Sequence, residues 1–294
     1  MNPVARPVTH PPRPVANLVV RTLSRSAALS VLSSLILVSP TDSRTIQFRF
    51  KRWIDVQSVS GSVTLINRNG RESARVGQRL QSVGEGIVTG ARSSATLNLD
   101  SGIGTLQVSE NSQFTIQEIQ NNNGGAQTKL NVSRGQVRLK LRSFTNPSSS
   151  LEVFTPAGVT GVRGTDFGVS ILPSGKTGVA TLKGKVVAAA QGETVEIDRG
   201  FQSSVIPGRP PLPPIPLRDN AKLDVQVLSQ EANGQVRLVA QTDDINVISI
   251  GELVIETNNQ GILDIRVPMG INRSIEVRVT TPLGKERNYQ LLVP

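Results

Sequence analysis

Short segments in which apolar and polar residues alternate strictly, separated by glycine-rich turns, constrain this chain more than any other feature. ATLNLD (Ala95, Leu97, Leu99), KLNV (Leu130, Val132) and QVRLKL (Val137, Leu139, Leu141) each put alternate side chains on one face. Turn signals follow at DSG from Asp100, SRGQ from Ser133, PSGKTG from Pro173 and KGK from Lys183. The polar NPSSS (Asn146 to Ser150) reads as a loop and NNNGG (Asn121 to Gly125) as a hairpin or loop tip. Strands recur at about 8 to 12 residue spacing from Ser58 to Val205, with almost no helical periodicity, which predicts an all-β domain over 58–205. Alternation alone fits a short β-solenoid and a β-sandwich equally well.

Residues 206–218, IPGRPPLPPIPLR, hold six prolines in thirteen positions. Each ring removes a backbone donor, so neither helix nor central strand forms there, and the segment reads as a stiff polyproline-II linker. PPLPPIP also contains the PxxP spacing of an SH3-type ligand. From 219 to 294 the alternation returns in KLDVQVL, QVRLVAQ, NVISI, ELVIET, ILDIRV, SIEVRV and NYQLLV, with turns at NNQG, PMG and PLGK. Seven short strands match an immunoglobulin-like β-sandwich, here without a disulfide because the chain has no cysteine. The expected architecture is two independent β domains joined by a rigid arm.

No acid precedes Asp42, while Arg6, Arg13, Arg21 and Arg25 lead into the twelve-residue apolar run AALSVLSSLILV, Ala27 to Val38. A basic region before such a run is the pattern of a secretory signal, and the run falls short of the roughly twenty residues of a comfortable span. An amphipathic surface helix fits less well, because Ala27 to Val38 has no charged side. The following SPTDSRT offers a poor cleavage site, which keeps an uncleaved anchor open. Residues 1–43 therefore read as a signal peptide or N-terminal anchor, 44–57 as a lead-in, and the rest as exported, periplasmic or extracellular.

The missing residue types narrow the chemistry. There is no cysteine, and the single histidine is His10, inside the leader. That removes thiol chemistry, imidazole bases and nearly all zinc, copper and haem sites, so no metal or cofactor is expected. A carboxylate enzyme acting on polysaccharide would need two acids on one face with aromatics beside them. Glu85, Asp100, Glu110 and Glu118 instead sit beside turns with only Phe114 near, and the chain reads as non-catalytic.

The net charge of +10 raises nucleic acid as a partner, and its distribution argues against it. Residues 1–57 carry eight Lys and Arg against two acids, residues 58–205 fifteen against ten, and residues 206–294 nine against ten. More than half the excess lies in the first fifth of the chain. Trp53 and Tyr289 are the only residues of their types, so cations and aromatics do not interleave for base stacking.

The stretch TPAGVTGVRGTDFGVSI, Thr155 to Ile171, carries Gly158, Gly161, Gly164 and Gly168. Neither GxGxxG nor GxxxxGK[ST] fits that spacing, and the intervening β-branched residues disfavour the helix a phosphate cradle needs. The better account is a strand, VFTPAG, that bends and re-enters as DFGVSI, with an Arg163–Asp166 ion pair fixing the bend. Alternatively Arg163 projects from the bend to bind an anionic partner. The candidate partner-binding residues are Arg163, Thr165 and Asp166, followed by Arg92 and Ser94 of the TGARSS turn. Ordinary turn chemistry also explains all five. Phe154, Phe167, Val169 and Ile171 are assigned to the core.

Here the chain resembles a known family. TP followed by GVRGTDFGV, then TGVATLKGKVVAAA and VEIDRGFQS, is similar to the core of the FecR domain, with SVSGSVTLI, GQRLQSVGEGIVTGARSSATLNLDSGIGTLQVSENSQFTI, LNVSRGQVRLKL and LEVFTP upstream in matching order. The likeness covers about Ser58 to Val205, and its motifs are specific as a set. It implies an exported all-β module that works through protein contacts at the cell envelope, receiving a signal from an outer-membrane transducer and controlling a sigma factor through a cytoplasmic helical segment. Two departures stand out. About 26 Arg-rich residues precede the apolar run, too few for anti-sigma helices, and a proline arm with an Ig-like domain replaces the usual transducer-contacting end. The expected function is therefore protein or glycan binding by a cell-envelope protein, or alternatively signal sensing with a separate regulatory partner.

Overall fold

Alternating segments form strands throughout the computed structural model, which describes residues 51–294 apart from Ser101, Asn123 and Ala232. The leader (residues 1–43) and the first half of the lead-in (44–50) lie outside the described residues. Seventeen strands come first: β1 (Ile54–Ser60), β2 (Val63–Asn67), β3 (Gly70–Ser73), β4 (Arg79–Leu80), β5 (Gly86–Thr89), β6 (Ser94–Leu99), β7 (Gly104–Val108), β8 (Gln113–Asn122) and β9 (Gly125–Leu141). After these run β10 (Ser150–Phe154), β11 (Val159–Val162), β12 (Asp166–Ile171), β13 (Thr177–Lys183), β14 (Lys185–Ala190), β15 (Glu193–Asp198), β16 (Phe201–Val205) and β17 (Ile215–Pro216).

They make two sheets that share β9. The first runs β4-β1-β6-β7-β9-β12-β13-β16-β17, all antiparallel. The second runs β3-β2-β5-β8-β9-β10-β11-β14-β15, with β9–β10 its one parallel pair. The N-terminal part of β9 pairs with β8 and β10, and from Gly135 onward it pairs with β12 and then β7. Gly135 makes the change of sheet possible: its φ is +80°, and a Cβ there would overlap the buried Ser112.

Inward residues of both sheets meet in one core. Phe114, Ile116, Leu130 and Val153 come from the second sheet, and Leu97, Leu106, Leu139 and Phe167 from the first. Each fully buried side chain of this size contributes roughly 1.5–3 kcal/mol. The domain is thus a sandwich of mostly antiparallel strands, wound so that the chain passes repeatedly between the layers. It begins earlier than Ser58. β1 starts at Ile54, and Arg52 is already buried, donating to the Gln120 and Gln127 carbonyls (3.0 and 2.6 Å) and Thr128 Oγ1 (2.9 Å) while pairing with Asp100.

Seven more strands follow: β18 (Asp224–Gln230), β19 (Gln235–Gln241), β20 (Val247–Ile250), β21 (Leu253–Ile255), β22 (Ile262–Pro268), β23 (Ser274–Thr280) and β24 (Glu286–Leu292). Their sheets, β18-β19-β22 and β21-β20-β23-β24, enclose a second core around Leu238, Ile248, Val277 and Val279. Three strands against four is the count and two-sheet architecture expected of an immunoglobulin-like sandwich.

The segment expected to be a rigid arm between independent domains lies along a sheet edge. Residues 206–218 double back along β16: Leu212 donates to the Ser204 carbonyl (2.9 Å), Ile215 and Pro216 pair with Gln202 and Phe201, and Leu217 donates to Gly200 (2.8 Å). An edge strand tolerates proline because its outer side needs no donors. The described residues from Lys51 onward belong to one compact unit, and the C-terminal sandwich packs on the outward face of the first sheet. There Ser170 Oγ donates to the Ile245 carbonyl (2.7 Å), Gln202 Nε2 to both Asp243 oxygens (2.9 and 3.0 Å), and buried Lys176 pairs with Asp244 (2.8 Å). A Cβ on Gly168 would overlap the Pro282 carbonyl, and one on Gly178 the Ile245 side chain, so the approach requires both glycines.

Candidate functional site

The glycine-rich stretch is the corner where the chain leaves the second sheet and enters the first. β11 ends at Val162 and β12 starts at Asp166, so Arg163, Gly164 and Thr165 make the crossing. Gly164 has φ +100°, and a Cβ there would overlap the Ser143 backbone. Thr165 is buried; its carbonyl accepts from Leu141 N (2.8 Å) and its hydroxyl has no hydrogen-bond partner. Both flanks of the corner are thus pinned to the end of β9 and the loop after it.

The expected Arg163–Asp166 pair does not form. Asp166 accepts two bonds from Arg138 on β9, at 2.9 Å to Nε and 3.0 Å to Nη2, and Arg138 also donates to the Leu283 carbonyl of the C-terminal sandwich (2.8 Å). Strand pairing decides this. β12 lies antiparallel to β9, which brings Arg138 beside Asp166 on the outward face, whereas Arg163 turns away and donates to the Pro147 carbonyl. Of these three candidates only Arg163 is exposed; Thr165 and Asp166 serve the fold.

The second pair lies elsewhere. Arg92 has φ 52°, its N–H donates to Glu110 (2.7 Å), and its guanidinium stands 3.4 Å from Glu276, both side chains being 73% exposed. Arg278 holds Glu110 from the C-terminal side at 2.7 Å. Arg92, Glu110, Arg278, Asn288 and Tyr289 line a polar cleft of about 490 Å³, and Ser94, Arg163, Thr165 and Asp166 do not. Ser94 is exposed at the start of β6, opposite Ser60. The structure therefore does not gather the five candidates into one site.

The acids weighed for catalysis all have structural bonds. Glu85 accepts the N–H groups of Gln81 and Ser82 (2.6 and 3.2 Å), Asp100 pairs with Arg52, Glu110 with Arg278, and Glu118 with Lys129 (2.8 Å). Among the described residues no cluster of three or more His, Cys, Asp or Glu is placed to hold a metal ion.

Sequence reasoning missed the residues of the domain junction. Asp243, 5% exposed, accepts from Gln202 and lies 3.7 Å from Arg218. Burial pushes its carboxyl above the ordinary range; Gln202, the Ile245 N–H and Arg218 act against this, and the neighbouring Asp244 adds to it. Phe154, assigned to the core, is half-buried on the outward face, because β10 points Leu151 and Val153 inward.

Comparison with known proteins gives a family match over the central part of this architecture. A family model described as FecR protein matches residues 85–187, from just before β5 into β14. No curated protein matches the chain. Two crystal structures described as a candidate anti-sigma factor from Parabacteroides distasonis are similar at 12% identity. One covers 44% of this chain with a TM-score of 0.35, the other 38% with a TM-score of 0.32, and the chain spans 57% and 51% of their lengths.

Proposed function

The chain carries a FecR domain, and from that premise we propose that it is a non-catalytic component of envelope signal transduction, exported from the cytoplasm, whose FecR domain acts by binding another envelope protein. The observation that carries this reading is the family match, because it takes in the sheet-crossing corner and the strands around it. The leader pattern supports export. The bonding of Glu85, Asp100, Glu110 and Glu118 to cations or backbone supports a non-catalytic role, since an acid locked in an ion pair is a poor proton donor or acceptor.

The polar cleft beside Arg92 favours a glycan as the other ligand class, because Arg, Glu, Asn and Gln side chains around a Tyr suit hydroxyl-rich ligands. A receptor acting with a separate regulatory partner is the second form of the reading, and it requires Ala27 to Val38 to remain attached. The test is in-cell cross-linking from a photoreactive residue at the exposed position 163, with mass spectrometry of the captured species and of the chain's own N-terminus. Capture of a defined envelope protein with Ala27 to Val38 retained supports the receptor form, and capture with the leader removed supports the soluble binding module. Capture of glycan alone moves the function to the cleft. A chain recovered from the cytoplasm overturns the reading.

A further inference from the structure

Three of the four glycines in the opening stretch have a structural reason: a Cβ on Gly158, Gly164 or Gly168 would overlap a neighbour. Gly161 has none. No atom lies within 4 Å of the place its Cβ would occupy, and its φ is not positive. A glycine inside a strand weakens the strand, and where the fold does not need it, it marks close approach by a ligand or another backbone.

Strand register shows what surrounds it. Gly161 on β11 lies between Glu152 on β10 and Val187 on β14, and the row continues to Glu196 on β15 and, the other way, to Lys129 on β9 and Glu118 on β8. The neighbouring row holds Asn131, Phe154, Val159 and Ala189. Leu151, Val153, Val162, Val186 and Ala188 fill the core, so these two rows face outward. Val187 is 36% exposed and Phe154 and Val159 are half-buried, which leaves an apolar floor open to water. The C-terminal sandwich covers the outward face of the first sheet instead.

The charge around the notch is acidic on a chain whose net charge is +10. Glu118, Glu152, Glu196 and Asp198 stand on this face against Lys129 and Lys185, with Arg163 at its corner. Lys129 is already held by Glu118 at 2.8 Å, and Lys185 by Glu196 and Asp198 at 2.5 and 3.6 Å. Glu152, next to the notch, forms no ion pair among the described residues. We propose that the outward face of the second sheet at Gly161 is the docking surface for an extended, basic segment of the partner protein. The segment sets an apolar side chain or its own backbone over Gly161 and a Lys or Arg against Glu152. This rests on the protein-binding function proposed above and specifies its surface.

The open space makes the test clean, because a Cβ at position 161 meets nothing and the long side chain of Gly161→Arg then covers the notch. The full chain is titrated into a dye-labelled peptide of alternating Lys and Phe or Val, and into its Glu-containing counterpart, and binding is read by fluorescence anisotropy. Expected are salt-sensitive binding of the basic peptide alone, a loss of about tenfold or more with Gly161→Arg at an unchanged melting temperature, and a smaller loss with Glu152→Gln. Equal binding of the two peptides, no binding of the basic one, or full binding by Gly161→Arg overturns the proposal. A dimer that Gly161→Arg abolishes, with no peptide bound, also overturns it by making a second copy the occupant. None of these outcomes bears on export or on in-cell capture, so failure here is distinguishable from failure of the proposed function.

Discussion

Asp166 grips Arg138 through both carboxylate oxygens, and the same guanidinium reaches the Leu283 carbonyl of the C-terminal sandwich. The acid of the glycine-rich corner thus orients the cation that fastens the second domain. Removing it strands a guanidinium that is only 20% exposed. Asp166→Ala should cost about 1–3 kcal/mol, the range for charge-assisted bonds. Arg163→Ala, on an exposed side chain, should stay within roughly 0.5 kcal/mol. Urea unfolding of both variants checks this, and equal losses would mean the corner does not distinguish the two residues.

Gly164 turns the chain from one sheet to the other at φ +100°, against the Ser143 backbone. Gly164→Val forces a β-branched residue into that conformation and into backbone atoms, and should cost at least about 1–3 kcal/mol. The readout is the melting temperature of the full chain. An unchanged value would show that the corner relaxes freely.

Much of this architecture was legible in local pattern. Alternation in QVRLKL and DFGVSI fixes which residues of β9 and β12 face the core, and even the outward position of Phe154 follows from the phase of Leu151 and Val153. What was not legible depends on register between distant strands. Arg138 meets Asp166 only because β9 and β12 pair across 28 residues of sequence. Lys176, in a glycine-rich turn, reads as exposed until the second sandwich buries it against Asp244. Proline density correctly excluded helix from residues 206–218 but carried no information about the sheet edge that receives them. Composition likewise cannot separate a glycine needed for packing, such as Gly168, from Gly161, which the packing does not need.

Asp243 gives the junction a pH dependence of definite sign. Burial raises its folded pKa above the ordinary value of 3.8, so the folded chain holds this proton more tightly than the unfolded chain. Its contribution to stability is fully present below that ordinary value and is lost as pH rises through the folded pKa. Stability measured by urea unfolding, taken as wild type minus Asp243→Asn, should therefore fall as pH rises above the ordinary carboxylate value of 3.8. The slope is the readout, because the substitution also changes the bond with Gln202 and so shifts the offset. A flat difference would mean the carboxyl is solvated in the folded chain.

Gly168 and Gly178 admit the Pro282 carbonyl and the Ile245 side chain to the outward face of the first sheet. Enlarging either glycine pushes against the other domain, while the core residues beneath, Phe167, Val169 and Val179, keep their places. Gly168→Leu should therefore undock the C-terminal sandwich at a cost of roughly 1–3 kcal/mol while leaving each sandwich folded. Undocking also withdraws Asp243 from Gln202, whose Oε1 accepts from Arg218 N at 2.9 Å, so the end of the proline segment loosens with it. Expected are two thermal transitions in place of one, a larger radius of gyration in small-angle scattering, and new protease cleavage within residues 206–218. Gly161→Ala is the matched control, since its Cβ meets nothing. If Gly168→Leu melts in one transition with unchanged scattering, the two sandwiches are not held together by this contact.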